Sequence, residues 1–207
     1  MSDRLLKIVA QPWVIAYWVV DNLLVHPYLW LLGVEYGRDC RFAGLPIVRK
    51  VRGARIILGD GVQLTSRSFN NPIGLPHAVI LAATKSDAEL VIGDGVGISG
   101  ASIVARQRVK IGARTSIGGG VGIYDNDFHP IDPSHRTAAI NDVRPAPVTI
   151  GENVFVGTRS VILKGVTIGD GTTVGACSLV TRSLPARVVA AGAPARVLRG
   201  FKTPTSA

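Results

Sequence analysis

Between Tyr124 and Pro147 the chain carries Asp125, Asp127, His129, Asp132 and His135 in a short span. Three chemistries use such a set. Carboxylates with two histidines can ligate zinc, but the spacing of His129 and His135 matches no common structural zinc pattern and no cysteine lies nearby. No metal is therefore expected. A hydrolytic triad needs an activated serine, and no G-x-S-x-G elbow marks one. The third chemistry is a single histidine acting as general base, since imidazole accepts a proton near neutral pH. A carboxylate at the other ring nitrogen would fix the tautomer and stabilise the imidazolium. Asp127 shares a face with His129 if the segment is extended, which makes it the preferred orienter over Asp125.

The elements that must hold this cluster repeat with a period of six. Ile150, Val156, Ile162, Ile168, Val174 and Val180 fall at strict intervals, most followed by glycine, and Val148, Val154, Ser160, Val166, Thr172 and Ser178 stand two positions ahead of them. An even period keeps one face of an extended strand but walks around a helix. Short strands joined by tight turns, stacked as coils on a continuous apolar core, satisfy it. Upstream, Ile92, Ile98 and Val104 keep the beat, and after one extra residue Ile111, Ile117 and Ile123 resume it. Leu58 and Leu64 open a weaker copy. The triplets Gly59-Asp60-Gly61, Gly93-Asp94-Gly95 and Gly169-Asp170-Gly171 suit the corners, where positive φ is needed. Two stretches break the rhythm: residues 66–89, expected as loops or extra strands on the solenoid surface, and residues 124–147, expected as a loop of the kind where chemistry is usually placed.

The run from Ile150 to Arg199, IGENVFVGTRSVILKGVTIGDGTTVGACSLVTRSLPARVVAAGAPARVLR, resembles the C-terminal half of the hexapeptide-repeat acyltransferases, the galactoside and maltose acetyltransferases and bacterial polysaccharide O-acetyltransferases among them. The resemblance covers roughly residues 88–200. It implies an all-β solenoid, a left-handed parallel β-helix, against the usual right-handed crossover; the residues ahead of it add a short N-terminal helical segment. It implies a catalytic histidine just before a proline, which His129-Pro130 matches and His135 does not. It also implies acetyl-CoA as acyl donor, held by Thr158, Ala176 and Thr181 along the coils, with Arg196 and Arg199 near the nucleotide phosphates. Lys164-Gly165 is expected as a turn without chemistry. Asp125 and Asn71 are expected to contact the acceptor.

Composition sets the outer limits. A chain of 207 residues with 47% apolar residues, 24 glycines and 12 prolines suits one turn-rich β domain and excludes disorder. Two cysteines, Cys40 and Cys177, offer no disulfide framework, so a reducing cytoplasm is expected. The net charge of +9 concentrates in Arg38, Arg41, Arg49, Lys50, Arg52, Arg55 and Arg67. No interleaved aromatics and no nucleic-acid motif accompany them, so nucleic acid is not the expected partner. Anionic lipid or a phosphate-bearing ligand fits the cluster.

Residues 1–35 differ in kind from the β-helix expected over 36–200 and the tail at 201–207. They hold all three tryptophans, Trp13, Trp18 and Trp30, in apolar runs interrupted by Asp21, Asn22 and His26. Pro27 is expected to break the helix. These interruptions argue against a spanning helix, and no small-residue cleavage site follows. Two readings remain: a cap on the open end of the solenoid, and a membrane-surface anchor at the inner face of the cytoplasmic membrane.

Taken with the resemblance, these features lead to an acetyl-CoA-dependent O-acetyltransferase acting on a saccharide or lipid-linked glycan acceptor, assembled as a homotrimer. The alternatives are N-acetylation of an amino sugar, a non-catalytic solenoid and a zinc-dependent one.

Overall fold

The structure is a computed structural model that describes residues 12–135 and 143–201. Three sheets wrap one apolar core. The first face stacks β1 (Glu35–Tyr36), β4 (Arg55–Leu58), β7 (Glu89–Ile92), β10 (Arg108–Ile111), β13 (Val148–Ile150) and β16 (Thr167–Ile168). The second stacks β2 (Arg41–Ala43), β5 (Gln63–Thr65), β8 (Gly97–Ser99), β11 (Ser116–Ile117), β14 (Phe155–Val156) and β17 (Thr173–Val174). It ends in the hairpin of β19 (Val188–Gly192) and β20 (Ala195–Gly200), whose antiparallel pairing closes the ladder. The third stacks β3 (Ile47–Lys50), β6 (Ile80–Ala83), β9 (Ser102–Ala105), β12 (Gly122–Tyr124), β15 (Val161–Ile162) and β18 (Leu179–Val180). Every pairing between coils is parallel.

The repeat explains the register. Ile150 pairs with Ile168, Val156 with Val174 and Ile162 with Val180, and all six side chains are buried. Three hexapeptides thus make one coil, one per face. The residue two positions ahead also turns inward, and where it is Ser or Thr its hydroxyl ties one coil to the next. Ser160 Oγ donates to the Gly175 carbonyl at 3.0 Å and accepts from the Ser178 amide at 3.2 Å. Thr172 Oγ1 donates to the Pro185 carbonyl at 2.7 Å. Buried hydroxyls are tolerated here because each is paired.

One corner triplet shows what its residues do. Gly61 has φ +67°, and a Cβ on Gly59 would lie 2.8 Å from the Asp94 amide nitrogen of the next coil. The second glycine therefore supplies the turn and the first supplies close stacking. Asp60 adds a bond that spacing did not suggest: its Oδ1 accepts from the Arg38 amide at 2.8 Å, and the Arg38 bonds hold its carboxyl below the usual carboxylate range.

Three local expectations are corrected. The upstream beat passes through Ile103, which is fully buried and pairs with Ile123, whereas Val104 is half-buried and faces outward. The step shortens after Ile98 and lengthens again in the turn at 106–108, which conserves the core. Residues 66–89 are not wholly an excursion, because β6 lies in the third face between β3 and β9. The N-terminal helix α1 (Pro12–Leu31) runs through Pro27. Proline removes the amide that would bond the Leu23 carbonyl, and both residues are on the exposed side, where that loss is tolerated.

Helix α1 covers the first coil. Val25 and Leu29 are buried with Phe42 and Val34, so this side of the helix joins the core. The side chains of Trp13 and Trp18 lie outside the described residues.

Candidate active site

A three-faced coil has three edges, and the expected site residues divide between two of them. The second-to-third edge carries Thr158, Ala176 and Cys177; the third-to-first edge carries the loop from Asp125 to Pro147, Lys164 and Thr181.

At the loop, Asp125 is fully buried. Its Oδ2 accepts from the amides of Arg106, Gln107 and Arg108 at 3.0, 2.7 and 2.8 Å, and its Oδ1 accepts from Asn126 Nδ2 at 3.0 Å. This ring of donors corrects the expected acceptor contact: Asp125 anchors the loop to the turn at 106–108 and presents no oxygen to a ligand. Asn126 Oδ1 accepts from the Phe128 amide at 2.9 Å, and Phe128 adopts φ +62°. A side-chain bond two residues on is how Asn stabilises such a turn. The His129 amide then donates to the Asp127 carbonyl at 2.7 Å. Together these turns bring His129 out to solvent.

His129 shares a shallow depression of about 240 Å³ with Asp127, Asp132, Val143, Arg144 and Lys164. The Asp127 carboxylate is paired with the Lys164 ammonium, which also donates to the Arg144 carbonyl at 3.1 Å. Lys164, expected as a turn without chemistry, therefore lies in the same depression as His129 and pairs with Asp127. Asp127 is thus tied on both sides, its Oδ2 to Lys164 and its carbonyl to the His129 amide. Asp132 is held below the usual carboxylate range by the Ser134 hydroxyl and amide, which bond its Oδ1 at 2.6 and 2.8 Å. The side chain of His135 lies outside the described residues.

At the other edge, Thr158 and Ala176 line a groove of about 440 Å³ along the second face, with Phe155, Ile73 and Asn71. Thr158 Oγ1 is bonded to the Gly119 carbonyl. Asn71 thus sits with the expected donor residues and not with His129, and its Oδ1 accepts from the Ile73 amide at 3.1 Å. The segment 71–76 forms one wall of this groove and of its extension over Arg159 and Cys177. Apolar side chains with exposed strand backbone suit a narrow, flexible arm of amides and methylenes. Thr181 is exposed on the edge of His129. Arg196 and Arg199 are exposed on β20 at the C-terminal end of the second face, Arg199 lying 5.3 Å over the Phe201 ring.

Comparison with known proteins agrees with this architecture. Residues 147–182 match the bacterial transferase hexapeptide family (six repeats). The galactoside O-acetyltransferase of Escherichia coli is 46% identical over 71 residues, 34% of each chain, and a putative acetyltransferase of Saccharomyces cerevisiae is 42% identical over 92 residues, 44% of this chain and 45% of that one. The matches thus span less than half the length of these curated relatives. A galactoside acetyltransferase solved in complex with coenzyme A superposes with TM-score 0.50 and 28% identity, covering 78% of this chain and 66% of that one. A mutant of the N-acyltransferase AntD from Bacillus cereus, solved with dTDP and coenzyme A, superposes with TM-score 0.60 and 20% identity over 85% and 89%. The fold is the left-handed parallel β-helix of these acyltransferases, as the resemblance implied.

Proposed function

We propose that this chain, which matches the bacterial transferase hexapeptide repeat over residues 147–182, transfers an acetyl group from acetyl-CoA to a hydroxyl of a saccharide, with His129 as general base. The observation that carries the proposal is the pairing of an exposed histidine, set before a proline by two successive turns, with an apolar groove along a separate edge. The relatives' acetyltransferase descriptions support the same class.

The chemistry follows from the residues. A free nitrogen of the His129 imidazole takes the hydroxyl proton as the acceptor oxygen attacks the thioester carbon. The carbon–sulfur bond breaks, and the imidazolium returns the proton to the departing thiolate. Lys164 and Asp127 would hold the turn that carries the base, the one through its ion pair and the other through its carbonyl. Thr158, Ala176 and Phe155 would seat the pantetheine arm, and Arg196 and Arg199 the phosphates, where guanidinium is suited to bind.

Base and groove lie on different edges of one coil stack, so a homotrimer is part of the proposal. A second copy can set its groove beside the loop of the first, giving a complete site between chains. The test is acetyl-CoA turnover against a panel of sugars, nucleotide sugars and lipid-linked saccharides, each offered with a hydroxyl or an amine. Release of free thiol with a hydroxyl acceptor supports the proposal; turnover confined to amines would replace it with N-acetylation.

A further inference from the structure

Helix α1 buries Val25 and Leu29 in the core, and its polar residues face the protein as well. Asp21 is buried, pairs with Arg67 and accepts from the Gly44 amide at 2.7 Å. Asn22 exchanges two bonds with the Phe42 backbone, at 3.0 and 3.1 Å. His26 rests edge-on to the Phe42 ring at 5.0 Å. The opposite face is apolar: Leu23, Leu24, Trp30 and Leu31 are 60–76% exposed. A helix on a water-facing surface shows the reverse arrangement.

The polar contacts lock this orientation. Arg67 bonds Asp21 and lies 4.8 Å over the Tyr17 ring and 5.4 Å over the Phe69 ring. The apolar face cannot rotate inward without breaking a buried ion pair. The coil beneath the helix is basic. Arg41 stands on β2 beside Phe42, and Arg49 and Lys50 on β3, whose Val48 amide donates to the Tyr28 hydroxyl. Lys50 reaches Gly33 at the C-terminal end of α1, and Arg52 follows in the next turn. Among the described residues no ion pair ties Arg41, Arg49 or Arg52 to a carboxylate, while Lys50 acts on the Glu35 carboxylate.

We infer that α1 and this basic rim form a docking surface for an anionic lipid bilayer, with the helix lying in the plane of the interface. Apolar side chains enter the acyl boundary, and the arginines meet lipid phosphates. No described helix is long and apolar enough to cross a membrane, and a helix in the interfacial plane needs no such length. Charge selects lipid over a second copy: symmetric pairing through this face would bring the same unpaired arginines together. The inference does not depend on the reaction catalysed.

The experiment is flotation of the full chain with phosphatidylcholine vesicles, with and without phosphatidylglycerol, at low and high salt. The protein should float with the anionic vesicles at low salt and be released at high salt. Replacing Leu23, Leu24 and Trp30 together by Gln should lower partitioning at least about tenfold. Arg49→Ala with Arg52→Ala should lower it about 30-fold, from two lost basic charges, and this pair decides the matter if the first variant melts early. Wild-type protein that ignores anionic vesicles at low salt overturns the inference. So does a Gln variant that floats like wild type. A Gln variant whose particle mass falls in lipid-free light scattering, beside a wild type that does not float, assigns the face to a second copy instead.

Discussion

Lys164 reaches from one coil to the carboxylate of Asp127 in the coil before it, and thereby holds the residue two positions ahead of His129. The pair is only partly exposed, at 29% for each side chain. Removing either member leaves the other a half-buried charge, and removing both leaves none.

This arrangement predicts non-additivity. Lys164→Met and Asp127→Asn should each lower turnover, while the double variant should lose less than the sum. A double-mutant cycle on kcat/KM should give a coupling of about 0.5–3 kcal/mol. A coupling near zero would mean that the pair does not position the turn.

His129→Ala should reduce turnover by about 10²–10⁴-fold while coenzyme A binding, read by calorimetry, is largely retained. His135→Ala should cost less than about tenfold. Near-normal turnover of the His129 variant removes the mechanism.

A site shared between copies can be rebuilt from two broken ones. His129→Ala and a groove variant such as Ala176→Trp should each be nearly inactive alone. Refolded together, they should recover a substantial fraction of wild-type turnover, because some interfaces receive an intact loop and an intact groove. Mixing without recovery, or a particle of monomer mass in light scattering, would count against the shared site.

Asp125 acts on stability first. Asp125→Ala strips three backbone amides of a charged acceptor, each such bond being worth about 1.5–3 kcal/mol, so thermal unfolding should drop by several degrees or more. Asp125→Asn, which keeps one acceptor oxygen, should lose less. An unchanged melting temperature for the Ala variant would contradict the anchoring role.

The interior hydroxyls make a similar claim. Thr172→Val keeps the shape but leaves the Pro185 carbonyl without its 2.7 Å donor. It should destabilise the protein by about 1–3 kcal/mol in denaturant melts. A neutral effect would show that the carbonyl finds another donor.

Much of this protein was legible before folding. The six-residue period sets strand length, face and core residues together, because an even repeat leaves the same side chains pointing inward in every hexapeptide. The pairing of Ile150 with Ile168 follows directly. The loop at 124–147 announced itself as a break in that period, and His129-Pro130 could be singled out within it. The Val104 position could not be read correctly, since a step shortened in one strand and lengthened in the next turn leaves the local pattern ambiguous.

Long-range contact decided the rest. Asp125 and Asp127 look alike in sequence, both acidic and both near His129. Only the fold brings three amides of the preceding coil to the first and an ammonium from the following coil to the second. The inward turn of Asp21 and Asn22 likewise depends on Gly44, Phe42 and Arg67, so the apolar helix reads from sequence as an interrupted one. Periodicity is local and survives in the chain. The partner of a charge is set by which coils stack, and stacking exists only in three dimensions.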